Sequence, residues 1–229
     1  MQSERNYIFN GVEYRTVKKF FSRINSVWLI ESINEAGQKF ILKDFEHNKD
    51  RLKAELSGME IFKDFSLKMI YSDSRYLIHE YVPGETLLSY FEEAEKNNTS
   101  VSNPVTLMMN FLKAMYKSAP GYILGDINFN NFIISGSNSE SKIKFIDFEN
   151  VKLGEIEDDL GRIISFALTY DPAFTGWKYD FVSEFIAKSE QVLKADKAKI
   201  YFYAEKEFVA MNVRRRLEID IPEVLKKVK

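Results

Sequence analysis

The chain has 229 residues, 45% of them hydrophobic and 14% aromatic, which is enough to bury a large core and excludes intrinsic disorder. Its 32 basic residues nearly balance 34 acidic ones, so the net charge of -2 argues against nucleic-acid capture by bulk charge, and we predict no specific nucleic-acid partner. The absence of cysteine excludes disulfides, thiolate metal sites and cysteine nucleophiles, and fits a reducing compartment.

The N-terminal segment, MQSERNYIFNGVEYRTVKKFF, is polar and charged where an export signal needs an apolar run. Because no run of about 18 apolar residues occurs in the chain, we predict no membrane-spanning helix and a cytoplasmic location. Only His47 and His79 are available, which leaves little room for a His-based triad or a multi-His metal site. Carboxylates, amides and lysines must therefore carry the chemistry.

The first third of the chain has the pattern of strands with one helix. The β-rich runs from Val27 to Ile33 and from Lys39 to Phe45 flank a turn with Asn and Gly, which predicts an antiparallel hairpin. Residues 51–65 then place apolar side chains three and four positions apart, the period of a helix face. Two further strands are predicted near residues 67–71 and 76–81.

The sequence Val82-Pro83-Gly84 breaks this pattern, and the chain is mostly helical from Glu85 onward. Residues 157–170, 179–193 and 195–217 have helical periodicity, and residues 97–103 have the composition of a loop between two helices. We predict an α+β fold with two lobes. Residues 1–82 would form a small antiparallel sheet with one helix, and residues 83–229 a mostly helical lobe. The cleft between such lobes is where we expect a ligand.

One hairpin interrupts the helical part and carries the candidate chemistry. Asp126 and Asn131 lie five positions apart on a loop that enters a strand, and Asp147 follows the returning strand. Because a hairpin brings its ends together, we expect these three side chains to converge. Their oxygens suit Mg²⁺ when phosphates complete its coordination shell. Each residue taken alone could equally serve turn chemistry.

The pattern G-D-x-x-x-x-N, a hairpin and then I-D-F resembles the catalytic and metal-binding loops of the protein-kinase-like superfamily. The resemblance implies a two-lobed kinase-like fold, with ATP and Mg²⁺ as cofactors. It assigns Asp126 as the catalytic base and Asn131 and Asp147 as metal ligands.

Upstream residues match the superfamily in the same order. Lys43 resembles the strand lysine that holds the α- and β-phosphates, and Glu55, on the following helix, resembles its ion-pair partner. Glu80 and Val82 resemble the hinge whose backbone receives adenine, and His79 stands just before them. The match predicts a nucleotide site that these residues share.

Three departures accompany the match. Residues 21–26 (FSRINS), in the place of the phosphate-covering loop, contain no glycine, so Ser26 would have to permit the backbone approach, with Val27 beside it at the nucleotide. Leu124 replaces the usual histidine, and Glu149 replaces the usual glycine. Gly125-Asp126 without an arginine and the sequence Ile146-Asp-Phe-Glu149 are similar to motifs of choline kinases and aminoglycoside phosphotransferases. The size of the chain and the sequence from Gly125 to Ile134 are most similar to those of the small lipopolysaccharide-core heptose and Kdo kinases of bacteria.

The resemblance implies ATP-dependent phosphorylation of a hydroxyl on a saccharide, such as a lipopolysaccharide-core sugar, or on another small molecule. The short stretch from Glu149 to the helix near Glu157 leaves little room for a segment that docks a peptide, which favours a small-molecule or glycan acceptor. A small atypical Ser/Thr protein kinase or ATPase acting with a partner is one alternative. A pseudokinase that binds nucleotide without transfer is the other.

Two further features allow more than one interpretation. Asp159 resembles the acidic residue that braces the catalytic loop, and it could also cap its helix. The basic C-terminus could be a solvated helix end and tail, or it could contact anionic lipid headgroups or a phosphorylated glycan at the inner face of the membrane. Its basic residues are Arg214, Arg215, Arg216, Lys226, Lys227 and Lys229.

Overall fold

The computed structural model describes residues 5–22, 25–35, 37–46, 48–136, 142–215 and 218–228. Within these residues it contains a six-stranded antiparallel sheet, two smaller sheets and seven α-helices. The predicted α+β class is confirmed.

The large sheet is formed by the first 80 residues of the chain in the order β1-β2-β3-β4-β6-β5. Helix α1 (Lys49–Ile61) connects β4 to β5 and explains the one crossover in this order. The strands are β1 (Asn6–Phe9), β2 (Val12–Phe20), β3 (Ser26–Ser32), β4 (Lys39–Asp44), β5 (Met69–Ser72) and β6 (Tyr76–Glu80).

Helix α1 begins and ends earlier than the predicted span of residues 51–65. The side chain of Asn48 accepts a hydrogen bond from the Arg51 amide at 3.2 Å, and this cap starts the helix at Lys49. The helix ends at Ile61, and Phe65 continues in a turn in which its amide donates to the Phe62 carbonyl at 2.8 Å. The helical spacing of apolar residues in the sequence therefore extends beyond the C-terminal end of the helix.

The hairpin of β1 and β2 was not predicted. Asn10 and Gly11 connect the two strands with φ angles of 49° and 77°, the left-handed values that a type I′ turn needs at both central positions. Asn-Gly between strands is a strong hairpin signal, so the sequence did contain the information.

The two faces of the large sheet have different roles. One face packs a separate apolar cluster made of Phe9, Tyr14, Trp28, Ile30, Phe40, Leu42 and Ile78. On the other face, Val27 of β3 pairs with Lys43 of β4, and Ile41 pairs with His79 of β6. Cross-strand partners project to the same side of a sheet, so these four residues share the face that carries Lys43.

The rest of the chain is mostly helical, as predicted, with a hairpin of β9 and β10 inserted. Strand β8 pairs with β11, and β7 pairs with β9. The elements are β7 (Glu85–Thr86), α2 (Leu87–Lys96), α3 (Ser102–Ser118), β8 (Tyr122–Ile123), β9 (Phe132–Ser135), β10 (Lys142–Phe145), β11 (Lys152–Leu153), α4 (Ile156–Thr169), α5 (Gly176–Leu193), α6 (Lys197–Arg215) and α7 (Ile221–Lys227).

Helix α7 changes the interpretation of the C-terminus as a solvated tail. Val224 and Val228 are buried against the helical core, so this segment is docked. Arg216 and Lys229 lie outside the described residues. None of the helices in the described part of the chain combines the length and the apolar character that a bilayer crossing requires.

One large hydrophobic core joins the helical part of the chain to the sheet face that carries Lys43. Leu52, Met59 and Phe62 around α1 and Leu77 of β6 belong to the same cluster as the side chains of α3 to α7. Strand β6 ends at Glu80 and β7 begins at Glu85, so the predicted division between residues 82 and 83 falls in the connecting segment. The division into lobes stays a prediction.

Helices α4 and α6 approach so closely at Gly161 that a side chain has no room there. A Cβ at Gly161 would lie 2.6 Å from the Ala204 amide nitrogen and 2.7 Å from the Tyr203 Cβ. We expect Gly161→Ala to lower the free energy of unfolding by about 1–3 kcal/mol through overpacking, measured by urea denaturation. Gly176→Ala in α5 is the control, because nothing lies within 4 Å of its Cβ position, and equal effects would contradict the packing argument.

Candidate active site

A buried ion pair connects the sheet to α1. The Nζ atom of Lys43 lies 2.7 Å from Oε1 of Glu55 and donates a second hydrogen bond, at 2.9 Å, to the carbonyl of Ile146, 103 residues further along the chain. The other Glu55 oxygen accepts the Phe148 amide at 3.1 Å. Lys43 is 8% exposed and Glu55 is 2% exposed, so the pair is shielded from water.

The charges of this pair depend on each other. Burial works to lower the pKa of Lys43, but the carboxylates of Glu55 and Asp147 outweigh it and hold the pKa above its ordinary value. Lys43 is therefore an ammonium ion at neutral pH. A buried ammonium ion costs little free energy only when it is paired and hydrogen-bonded, as this one is.

The predicted metal ligands Asn131 and Asp147 lie together at the open end of the β9–β10 hairpin. The Ile146 amide donates to the Asn131 carbonyl at 3.0 Å, which continues the ladder and places Asp147 beside Asn131. The Glu149 amide lies 3.5 Å from Oδ1 of Asp147 and orients that carboxylate. Both ligand candidates are partly exposed.

The donor atoms at this place fit Mg²⁺. Carboxylate oxygens of Glu55, Asp147 and Glu149 lie within 4.8 Å of one another. Lys43 pairs with Glu55, and Arg51 pairs with Glu149, so each of these two carboxylates already has a cation. Asp147 forms no ion pair among the described residues, and its carboxylate and the Asn131 side-chain amide offer hard oxygens of the type that Mg²⁺ prefers.

Asp126 lies on the loop after β8, where Gly125 allows a close approach to the segment that follows Asp147. Gly125 has a φ of 75°, and a Cβ there would lie 2.3 Å from the Asn150 carbonyl oxygen. The Asp126 side chain is exposed and has no hydrogen-bond partner among the described residues. Neighbouring protein atoms nevertheless displace part of its hydration, and this desolvation and then the charge of Asp147 raise its pKa, which makes it a better proton acceptor.

Asp159 supports the loop that leads to Asp126. Its carboxylate accepts the amides of Leu124 at 2.8 Å and Gly125 at 2.9 Å, and the Tyr116 hydroxyl at 3.0 Å. Burial raises its pKa to about 6, although these hydrogen bonds oppose the shift. Glu155 occupies the N-cap position of α4, so Asp159 braces the loop and does not cap the helix.

The residues predicted to contact the nucleotide lie on the strands beside β4 and in the segment that follows β6. Ser26 and Val27 begin β3, and Val27 is the cross-strand partner of Lys43. Glu80 ends β6, and Val82 lies in the connecting segment that follows it. The phosphate-covering loop predicted for residues 21–26 falls partly on residues 23 and 24, outside the described part of the chain.

His79 is buried beside this face and stays neutral. Its Nδ1 lies 2.9 Å from the Glu80 carbonyl, and because a carbonyl only accepts, the proton is on Nδ1. Nε2 is buried with no hydrogen-bond partner among the described residues. Burial, with the charge of Lys43, lowers the pKa of His79 to about 3.

Two contributors to this site were not predicted from the sequence. Tyr116 supports Asp159 from α3, and Arg51 binds Glu149 from α1. Glu149 was noted for replacing a glycine, but no local pattern indicated its partner. Asn128, by contrast, accepts the Asn130 amide at 3.0 Å and forms a turn, as its residue type suggests.

A scan against protein-family models finds no match for this chain, and a search of curated proteins finds no significant match. The resemblance to kinase-like enzymes therefore stays a prediction from the residues. The functional argument rests on the geometry of the site.

The buried pair gives a stability prediction. We expect Lys43→Met to lower the free energy of unfolding by about 3–5 kcal/mol, because it leaves the buried Glu55 carboxyl, whose pKa burial already raises to about 7, without the cation that stabilises its charge. Lys43→Met combined with Glu55→Gln should recover much of this loss, since no charge is then stranded. Urea denaturation measures both.

The control for this prediction is Lys199→Met. Lys199 forms an ion pair of 2.6 Å with Glu155, but both side chains are about half exposed, at 48% and 49%. Solvent screens such a pair, so its loss should leave stability nearly unchanged. Equal losses at Lys43 and Lys199 would show that burial is not the reason.

His79 gives a pH prediction. Its pKa falls from an ordinary 6.5 to about 3 on folding, so its contribution to stability is complete above pH 6.5 and is lost as the pH falls. Relative to His79→Leu, the wild type should lose about 1.4 kcal/mol of unfolding free energy per pH unit below that value. Urea denaturation between about pH 7.5 and pH 5 measures the difference.

His79→Gln separates titration from packing in this test, because Gln is polar but does not titrate. Both variants should lose the pH dependence. Only His79→Leu should also match or exceed the stability of the wild type at neutral pH, because it removes the unpaired Nε2. A pH dependence that is unchanged in both variants would exclude His79 as its source.

Proposed function

We propose that this chain is an ATP-dependent phosphotransferase with a two-lobed, protein-kinase-like fold. The observation that carries the proposal is the buried Lys43 ammonium, which Glu55 holds against the Ile146 carbonyl, one residue before Asp147. A fixed cation beside a free carboxylate suits a ligand that is anionic and bound to a metal. A nucleoside triphosphate with Mg²⁺ has both properties.

Each residue in the site has a role in this proposal. Lys43 would bind oxygens of the α- and β-phosphates, and Asp147 with Asn131 would hold Mg²⁺, which neutralises phosphate charge when bound. Asp126 would accept the proton of the acceptor hydroxyl. The acceptor oxygen then bonds to the γ-phosphorus while the bond to the β–γ bridging oxygen breaks, and ADP leaves with that electron pair.

The strand positions around Lys43 support a nucleotide in this orientation. Val27 faces the same side as Lys43 on the neighbouring strand, so its side chain can cover the phosphates, while Ser26, which faces the other side, would contribute its backbone. Glu80 ends β6 three residues beyond Leu77, the cross-strand partner of Lys43, a separation of about 10 Å at strand spacing, and Val82 follows in the connecting segment. Their backbone groups would bind the base.

The acceptor in this proposal is a hydroxyl of a saccharide or another small molecule. Only residues 148–155 lie between Asp147 and α4, and two of them form β11, which pairs with β8. A peptide-docking segment would need more chain than this. The basic C-terminus is a candidate contact for an anionic acceptor or membrane, although Arg214 already pairs with Glu207 and Lys227 with Glu223.

The proposal predicts a separation of binding from turnover. Asp126→Asn should lower phosphoryl transfer by about 100-fold or more, because the proton acceptor is lost, while affinity for Mg²⁺-ATP stays within about threefold. Radiolabelled ATP with a panel of saccharide, choline and protein acceptors measures transfer, and calorimetry measures binding.

Asp180→Asn is the matched control, since Asp180 is an exposed carboxylate on α5. It should change neither quantity. Binding of ATP without transfer to any acceptor or to the protein itself would favour the pseudokinase alternative. Transfer to the protein itself or to a partner protein would favour the protein-kinase alternative, and failure to bind ATP would contradict the site assignment.

A further inference from the structure

Helix α1 contacts the segment after Asp147 at three of its turns. Arg51 binds Glu149, Glu55 accepts the Phe148 amide, and Gly58 lies against the backbone of the same segment. A Cβ at Gly58 would lie 2.2 Å from the Phe148 carbonyl oxygen. Positions 51, 55 and 58 share one helix face, so a single face of α1 holds the whole segment.

The contact between Arg51 and Glu149 has the geometry of a strong ion pair. Nε of Arg51 donates to one Glu149 oxygen at 3.0 Å, and Nη2 donates to the other. Their side chains are 21% and 13% exposed, so solvent screens the pair only in part. A two-pronged pair of this kind fixes orientation as well as distance.

The ion pair of Arg51 and Glu149 is connected to Asp147 by the backbone amide of Glu149. The side chain of Glu149 is held by Arg51, and its amide lies 3.5 Å from Oδ1 of Asp147. Immobilising Glu149 therefore immobilises a donor that orients the Asp147 carboxylate. Both Glu149 oxygens are engaged by the guanidinium, which also keeps this third carboxylate from competing for a metal.

We propose that Arg51 and Glu149 form a positioning pair that sets the orientation of Asp147 for Mg²⁺. The proposal rests on the proposed function, because it assigns Asp147 to the metal. Glu149 thus has a defined task at the position where the protein-kinase pattern has glycine. This task requires the arginine at position 51, one helical turn before Glu55.

The test uses the full chain and two readouts. Calorimetry gives the affinity for ATP with EDTA, and then the Mg²⁺ concentration at half-maximal ATP binding. Hydrogen exchange of peptides covering residues 147–151, without ligand, reports whether the segment is held. The variants are Arg51→Met, Glu149→Gln and the charge reversal Arg51→Glu with Glu149→Arg.

Arg75→Met is the matched control for loss of a two-pronged ion pair. Arg75 binds Asp44 through two hydrogen bonds of 2.7 Å, and Asp44 follows Lys43 on β4. No hydrogen bond or ion pair among the described residues joins this pair to residues 147–151. The variant should therefore leave both readouts at wild-type values even where it lowers the melting temperature.

We expect Arg51→Met and Glu149→Gln each to raise the Mg²⁺ midpoint by about tenfold, because loss of a group that orients a metal ligand has this effect. Affinity for metal-free ATP should change by less than about twofold, and exchange in residues 147–151 should accelerate. The charge reversal should return the midpoint to within about threefold of wild type. This rescue would show that the pairing of the two side chains, and not either side chain alone, sets the midpoint.

Wild-type Mg²⁺ midpoints in both single variants would overturn the proposal, even if exchange accelerates, because the pair would then hold the segment without orienting Asp147. An equal rise in Arg75→Met would overturn it as well. If wild type binds no ATP, the proposed function fails by itself. In that case, unchanged hydrogen exchange of residues 147–151 in Arg51→Met would also contradict the proposed positioning pair. Faster exchange would show that the pair holds this segment.

Discussion

The buried ion pair of Lys43 and Glu55 is the constraint on which the site depends. Two charges shielded from water are tolerated only when their remaining hydrogen-bonding groups also find partners. Those partners are the Ile146 carbonyl and the Phe148 amide, on either side of Asp147. The pair therefore joins β4, α1 and the end of β10, and any shift of one element would expose an unsatisfied charge.

Buried carboxylates also organise the loops that carry the candidate chemistry. Loop amides have no strand or helix partner, and a buried amide must still be satisfied. Glu55 accepts the Phe148 amide, and Asp159 accepts the amides of Leu124 and Gly125. The loops bearing Asp126 and Asp147 are thus held by two acids that are themselves buried. Glu55 and Asp159 therefore support the site, whereas Asp126 and Asp147 are the groups that would meet a ligand.

The ion pairs and hydrogen bonds of the site side chains show the same separation between supporting residues and ligand-facing residues. Lys43, Glu55, Arg51 and Glu149 form closed pairs, whereas the side chains of Asp126 and Asn131 have no hydrogen-bond partner within the described ranges. Polar groups left open beside fixed ones are suited to bind what the folded chain lacks. Such an arrangement holds net negative charge next to a fixed cation, a combination that favours a metal-bound anion.

Local patterns in the sequence determined most elements, because the side-chain periods of two and 3.6 residues report which face is buried. The order of Asp126, Asn131 and Asp147 around one hairpin also indicated their convergence, since hairpin ends meet, and Asn10-Gly11 carried an unused signal for the first hairpin. Only the tertiary structure decided that Arg51 meets Glu149, 98 positions away, and that Tyr116 meets Asp159, 43 positions away. Such pairs leave no periodic trace, because their partners become neighbours only when separate elements pack against each other.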